Sequence, residues 1–387
     1  MKKKTNGILI KNVKVVNQKE ERLQDILIFG EKIISISNSL EKYSSLISEI
    51  GGTIIEGNKN FIIPGLIDIH CHLTGGGGES GPESRIPEAK IFELVNSGIT
   101  SIGGVLGTDS ISRSLENLLF KVRAIEKYGL TVWMYTGAYR IPTPTITGTI
   151  MSDITLIEQI KGVKIALNDH RSSQPTFDEL CKIASEARVG GLISNKPGIV
   201  HIHMGGGKKG LDLLWKILQE TDIPIQQFLP THMSRKILRD DLKKWLLEGG
   251  RIDLTASKKI ANLLEKLKNE KHNLSNISVS SDAYGSMPKF DKNGNLSSIG
   301  IGKPDVLLEV IKDLVNEKSW SVFDAIQFFT RNPAIFMGFQ TKGLIKESFD
   351  ADLVLLDEKL NITHVIAKGR IVKTPEYVIK EFYEEIE

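Results

Sequence analysis

The run IDIHCH ends in His70 and His72, and four glycines and an acid, Glu79, follow closely. Side chains at i and i+2 of a strand share a face, so both imidazoles can reach one metal ion. Taken alone, the pair reads more readily as two hydrogen-bonded surface histidines. Lys164 lies inside GVKIAL, on the face opposite Val163, Ile165 and Leu167. A lysine there is costly to bury unless it is paired or neutralised. Either it snorkels from the strand mouth, or its neutral amine adds carbon dioxide and becomes an anionic carbamate able to bridge two metals. The second reading requires burial and nearby cations to lower the amine from its usual ~10.4. VHIHMG offers His203 near its end, with His201 one layer deeper as a core or supporting histidine. LPTHMSR offers His232, and SVSSDAYGS offers Asp282. Imidazole and oxygen donors without thiolate suit zinc or a similar ion in an open catalytic site. Cys71, between the paired histidines, faces the other way and reads as core.

Such groups need a scaffold that gathers strand ends. Eight short apolar runs, from FIIPGLIDIH to NISVSSD, mostly alternate with helix-like stretches such as TFDELCKIASEAR. The pattern predicts an α/β fold of parallel βαβ units closed into a (β/α)8 TIM-like barrel, with its chemistry at the C-terminal strand ends. An open doubly wound sheet is the alternative, weakened because no GxGxxG opens a helix after a strand. GGGKKG (Gly205 to Gly210) lacks P-loop spacing and reads as a strand-to-helix turn. Alternating runs at both chain ends predict a small β-sandwich domain built from residues 1–62 and 342–387, with the barrel spanning 63–341.

The 387 residues carry 40% apolar and 25% charged side chains, as a soluble globular chain does, and a formal net charge of +3. That charge is too small to argue for a nucleic-acid or membrane partner, and the Lys2 to Lys4 run reads as a solvated terminus. No apolar stretch approaches a membrane span, and the N-terminus lacks the unbroken apolar core of a signal peptide. Two cysteines 110 positions apart, Cys71 and Cys181, read as reduced thiols of a cytoplasmic protein.

The HxH after PGLIDIH, the lysine of the fourth run, the single histidines of the fifth and sixth and the aspartate of the eighth together resemble the binuclear amidohydrolase superfamily. So does the tail NPAIFMGFQTKGLIKESFDADLVLL. Within it, GGGGESGP, LGTDSISR, TGAYRIP, VKIALNDHRS, HMGGGKKG, LPTHMSR and SSDAYGS are similar, in order along nearly the whole chain, to the isoaspartyl dipeptidase family. Cys71 and the Ala283-Tyr284 pair are small local departures. The resemblance implies two zinc ions held by His70, His72, carboxylated Lys164, His203, His232 and Asp282. It implies hydrolysis of dipeptides whose aspartate is linked through its β-carboxyl, and a homo-octamer.

Two such metals would activate a bridging water as hydroxide, with Asp282 as general base and then acid and Tyr139 as a donor to the oxyanion. The substrate would be a small zwitterion. Glu79 would pair its ammonium, Arg171 and Arg235 its carboxylates, and Thr108, Ser286 and Gly77 would complete the binding site. His170 and Asp109 read as supporting or structural. A cyclic-amide hydrolase of the dihydroorotase or hydantoinase kind, and a metal-free scaffold of the same fold, are the rival readings.

Overall fold

The computed structural model describes residues 7–17, 22–290 and 296–383. The Lys2 to Lys4 run and the outermost residues of the expected terminal domain lie outside them.

Eight strands form the centre: β1 (Leu66–Cys71), β2 (Ile99–Gly104), β3 (Thr131–Gly137), β4 (Ile160–Leu167), β5 (Ile199–Met204), β6 (Phe228–Thr231), β7 (Ile252–Thr255) and β8 (Ile277–Ser280). β1 to β6 hydrogen-bond in sequence order as a parallel six-stranded arc, and β7 and β8 form a parallel pair. The pair meets β1 just past β8, where His72 N–H donates to the Ala283 carbonyl at 2.9 Å and Asp282 N–H to the His70 carbonyl at 3.1 Å. At the other side Thr231 of β6 donates its hydroxyl to Asp253 of β7 at 2.6 Å. The result is a TIM-barrel-like ring with a helix following each strand, as buried, apolar parallel strands require.

The helix after β4 shows how local sequence sets this up. Thr176 and Glu179 form a reciprocal capping box at the start of Phe177–Ser194. Its Leu180, Ile183, Ala184 and Ala187, spaced three and four apart, bury one stripe. That stripe joins the same core as Val163, Ile165 and Leu167 of β4. The alternate residue Lys164 therefore faces inward, as the period-two pattern predicts.

The first apolar run divides in two. Phe61–Pro64 pairs with Leu353–Leu356, and Gly65 breaks the run before β1 begins. A Cβ at Gly65 would lie 2.1 Å from the Thr100 hydroxyl oxygen, so the chain passes too close to β2 for a side chain. Ile63 and Pro64 thus belong with the chain-end strands, two residues beyond the expected boundary. Those strands form one eight-stranded mixed sheet, ordered 370–373, 362–367, 353–356, 61–64, 8–15, 22–29 and 32–37, with 53–56 also pairing on 8–15. Alternation splits their side chains: Ile8, Ile10, Ile26, Ile28, Leu353 and Leu355 share one core, while Leu9 and Leu27 pack on the opposite face with Leu40 and Ile47.

Candidate active site

The C-terminal ends of the eight strands open into a cavity of about 910 Å³ that Glu79, Tyr139, Arg171, His232, Arg235 and Asp282 help to line. Its floor is a cluster of ligand-type side chains. His70, within β1, and His72, just past its end, place their Nε2 atoms 3.4 and 3.3 Å from Asp282 Oδ1. His232 Nδ1 lies 3.9 Å from Asp282 Oδ2 and 2.6 Å from the Thr255 hydroxyl. The His203 ring packs edge-on against His232, with centroids 4.5 Å apart. His232 and Asp282 both sit in the left-handed region, at φ 62 and 53°. Non-glycine residues there store about 1–3 kcal/mol each, which the surrounding packing must hold.

Burial pushes His70 and His232 well below the ordinary imidazole range and His203 down to about 4. Neutral imidazole is the ligand form. Lys164 is 1% exposed, and its Nζ has no hydrogen-bond partner among the described residues. Burial lowers its ammonium to about 7, against the pull of Asp282 and Asp253. An orphaned buried amine, His70, His72 and His232 around one carboxylate, and no thiolate among them form a donor set that fits divalent metal.

His203 departs from the simple expectation of a free ligand. Its Nε2 lies 2.9 Å from Asp169 Oδ2 and its Nδ1 2.6 Å from the Tyr139 hydroxyl. A carboxylate can only accept, so Nε2 carries the proton, and the Nδ1 lone pair accepts from Tyr139. Asp169 was not among the expected site residues, yet it organises this wall. It accepts both Nε and Nη2 of Arg171 at 2.9 Å as well as His203. Burial alone would raise its carboxyl, but those hydrogen bonds outweigh it and hold the group well below the usual range. Its place at the end of the β4 run, two residues before Arg171, was the available signal.

The expected substrate-side residues converge. Glu79 Oε1 accepts from Thr108 at 3.2 Å, Arg171 Nη1 at 3.2 Å and Ser286 at 3.3 Å. The loop that carries Glu79 back turns at Gly77, where φ is +77° and a Cβ would lie 2.3 Å from the Ser84 carbonyl oxygen. Arg235 lines the cavity with no side-chain hydrogen bond or ion pair among the described residues. Asp109 caps its own turn through the Ile111 and Ser112 amides, and His170 is 80% exposed. Cys71 is buried in the core, and both cysteines are free thiols.

Below the floor lies a polar layer that the motifs did not single out. Asp253 accepts hydroxyl hydrogen bonds from Thr231, Ser278 and Ser280, and burial pushes its carboxyl up to about 7. Asp68 is held by Ser281 and pushed up to about 6. The alternation of Ser278 and Ser280 within an otherwise apolar strand marks them as inward-facing.

Residues 61–372 match the amidohydrolase family. The crystal structure of a beta-aspartyl dipeptidase from Fervidobacterium islandicum AW-1, in complex with beta-Asp-Leu dipeptide, is 40% identical and superposes with a TM-score of 0.90, covering 98% of this chain and all of that one. An adenine deaminase from Clostridium perfringens is 25% identical over 98% of this chain, which spans only 60% of that protein's length. A dihydroorotase from Bacillus licheniformis is 30% identical over 38% of this chain and 31% of its own.

Proposed function

We propose, from the premise that this chain belongs to the amidohydrolase family and is a metal-dependent hydrolase, that it cleaves dipeptides whose aspartate is linked through the β-carboxyl. The observation that carries this reading is the charged rim of Glu79, Arg171 and Arg235 over a His/Asp floor. A neutral ring such as adenine gives those groups nothing to pair with, and dihydroorotate brings one carboxylate and no ammonium. A β-aspartyl dipeptide brings one ammonium and two carboxylates. The likeness to a dipeptidase solved with beta-Asp-Leu supports the same assignment.

His70, His72, His203, His232, Asp282 and N6-carboxylated Lys164 would hold two zinc ions. When bound, such ions lower the pKa of water and polarise a carbonyl. The chain's own groups do the rest. Asp282 takes the proton of the attacking water and delivers it to the leaving amine. Tyr139, freed from His203, turns its hydroxyl toward the developing oxyanion. Glu79 exchanges its Arg171, Thr108 and Ser286 partners for the substrate ammonium. The uncommitted Arg235 grips one carboxylate bidentately, and Arg171, braced by Asp169, meets the other. Gly77 keeps this turn free of side-chain bulk.

A panel of β-linked and α-linked dipeptides assayed with defined metals tests the proposal, with adenine and dihydroorotate as further substrates. Zinc-dependent cleavage confined to β-Asp-Leu and its relatives is expected. No β-Asp-Leu cleavage by the zinc-loaded protein, or turnover of a ring substrate in its place, overturns it.

Three coarser points complete the proposal. The described residues of 7–64 and 342–383 form a small domain beside the barrel, curled into a two-layer sandwich. This is supported by Ile33, on one end strand of the sheet path, and Ile366, one strand in from the other end, sharing one core. The protein works in the cytoplasm, consistent with its free thiols. It assembles as a homo-oligomer, octameric by resemblance, and the exposed Leu156, Leu192 and Ile193 offer apolar surface for that.

A further inference from the structure

We infer that His201 is a positioning residue that fixes the tautomer of His70, so that His70 presents a bare Nε2 toward Asp282. This rests on the metal-site reading of His70 given above.

The assignment follows from donors and acceptors. His201 Nδ1 lies 3.1 Å from the Leu229 backbone carbonyl, which can only accept. Nδ1 therefore carries the proton. His201 is fully buried and, among the described residues, pairs with no carboxylate that would stabilise a second proton, so its Nε2 is a lone-pair acceptor. That atom lies 2.8 Å from His70 Nδ1, which must donate to it. His70 Nε2 is then unprotonated, and it faces Asp282 Oδ1 at 3.4 Å. Two acceptors facing each other at that distance repel unless a cation stands with them. The relay thus prepares His70 as a ligand before any ion arrives.

The fold holds His201 rigidly for this task. It is fully buried on β5, in register with Lys164 on β4 and Leu229 on β6. Its ring stacks on Tyr135, with centroids 4.9 Å apart and planes 22° apart, and meets the His70 ring edge-on at 4.9 Å. Asp253, the neighbouring carboxylate, is occupied by three hydroxyl donors. An apolar side chain could fill the same space, but only a group that donates on one side and accepts on the other completes the chain from Leu229 to His70.

Neutron diffraction from the metal-free wild-type protein tests the tautomers directly. Deuterium is expected on Nδ1 of both His201 and His70. Deuterium on His70 Nε2, or on His201 Nε2, overturns the inference. Chelator competition tests the consequence. His201→Leu should bind zinc roughly 10–100-fold more weakly, as loss of a partner behind a ligating histidine does. His201→Gln, whose amide can accept and donate, should keep wild-type affinity. Wild-type affinity in His201→Leu, or equal loss in both variants, assigns His201 a space-filling role only. Should wild-type protein bind no zinc, the metal reading fails, while the deuterium positions still decide the relay.

Discussion

Lys164 owes its chemistry to its surroundings more than any other residue here. In water its amine would be almost wholly protonated at neutral pH, but burial lowers it to about 7. The sign follows directly. The neutral amine that carbon dioxide needs becomes more abundant as pH rises through 7. Zinc uptake by metal-free protein in bicarbonate should therefore increase between pH 6 and 8, read as bound zinc by atomic absorption. Lys164→Ala should lose the paired metals and nearly all turnover, and a short carboxylic acid added in solution should restore part of it. Normal turnover in that variant would rule out the bridging role. Glu79 is the second residue with a sharp expectation. Its hydrogen bonds to Thr108, Arg171 and Ser286 hold the carboxylate at the cavity rim. Removing its charge with Glu79→Gln should lower kcat/KM on β-Asp-Leu roughly 10–100-fold, the value of a charge-assisted hydrogen bond of about 1.5–3 kcal/mol. Zinc content should stay unchanged. An unaltered rate would take Glu79 out of the substrate site.

Strands and helices divide the labour between chemistry and support. Residues past the strand ends, such as His232 and Asp282 with their left-handed backbones, line the cavity. The helices behind them carry stability. The Thr176–Glu179 capping box satisfies backbone donors at the start of the 177–194 helix, and neither residue lines the cavity. Thr176→Ala should destabilise the protein by about 1 kcal/mol in urea unfolding, with kcat and KM as in the wild type. A fall in kcat without loss of stability would mean that this helix tunes the site.

Across the whole molecule, the chain-end sheet and the segment leaving the barrel are joined by one buried charge cluster. Lys342, whose side chain is 5% exposed, pairs with Asp350 at 2.9 Å and with Asp352. Asp350 also takes Lys32 at 2.6 Å, and Asp352 accepts the Lys368 amide at 2.8 Å. Burial alone would depress the Lys342 ammonium, but the two aspartates outweigh it and keep it raised. Lys342→Ala would leave Asp352 buried without its cation and Asp350 with Lys32 alone, a loss of roughly 3–5 kcal/mol. Its denaturation midpoint should fall well below that of Thr176→Ala, and a midpoint equal to wild type would show that the sheet is not anchored there. Among the described residues no helix is long and apolar enough to cross a membrane.

Much of the site was legible in the sequence because strand periodicity is short and local. His70 and His72 two apart, and Lys164 opposite Val163 and Ile165, declare their facing without any tertiary knowledge. The eight apolar runs likewise declared the barrel. Gly65 splitting the first run was not legible, because the close approach of Thr100 that demands a glycine comes from another strand. Asp169 was missed for the same reason. Only folding brings its carboxylate to His203, 34 residues away, and so joins that histidine to the neighbouring Arg171. The sequence by itself determined which residues could bind metal and which faces they take, since those depend on neighbours along the chain. The tertiary structure alone decided that Arg171 is braced by Asp169 while Arg235, among the described residues, is not, and that Lys164 is buried with no hydrogen-bond partner among them. Each of these depends on a donor, an acceptor or excluded water contributed by a distant strand.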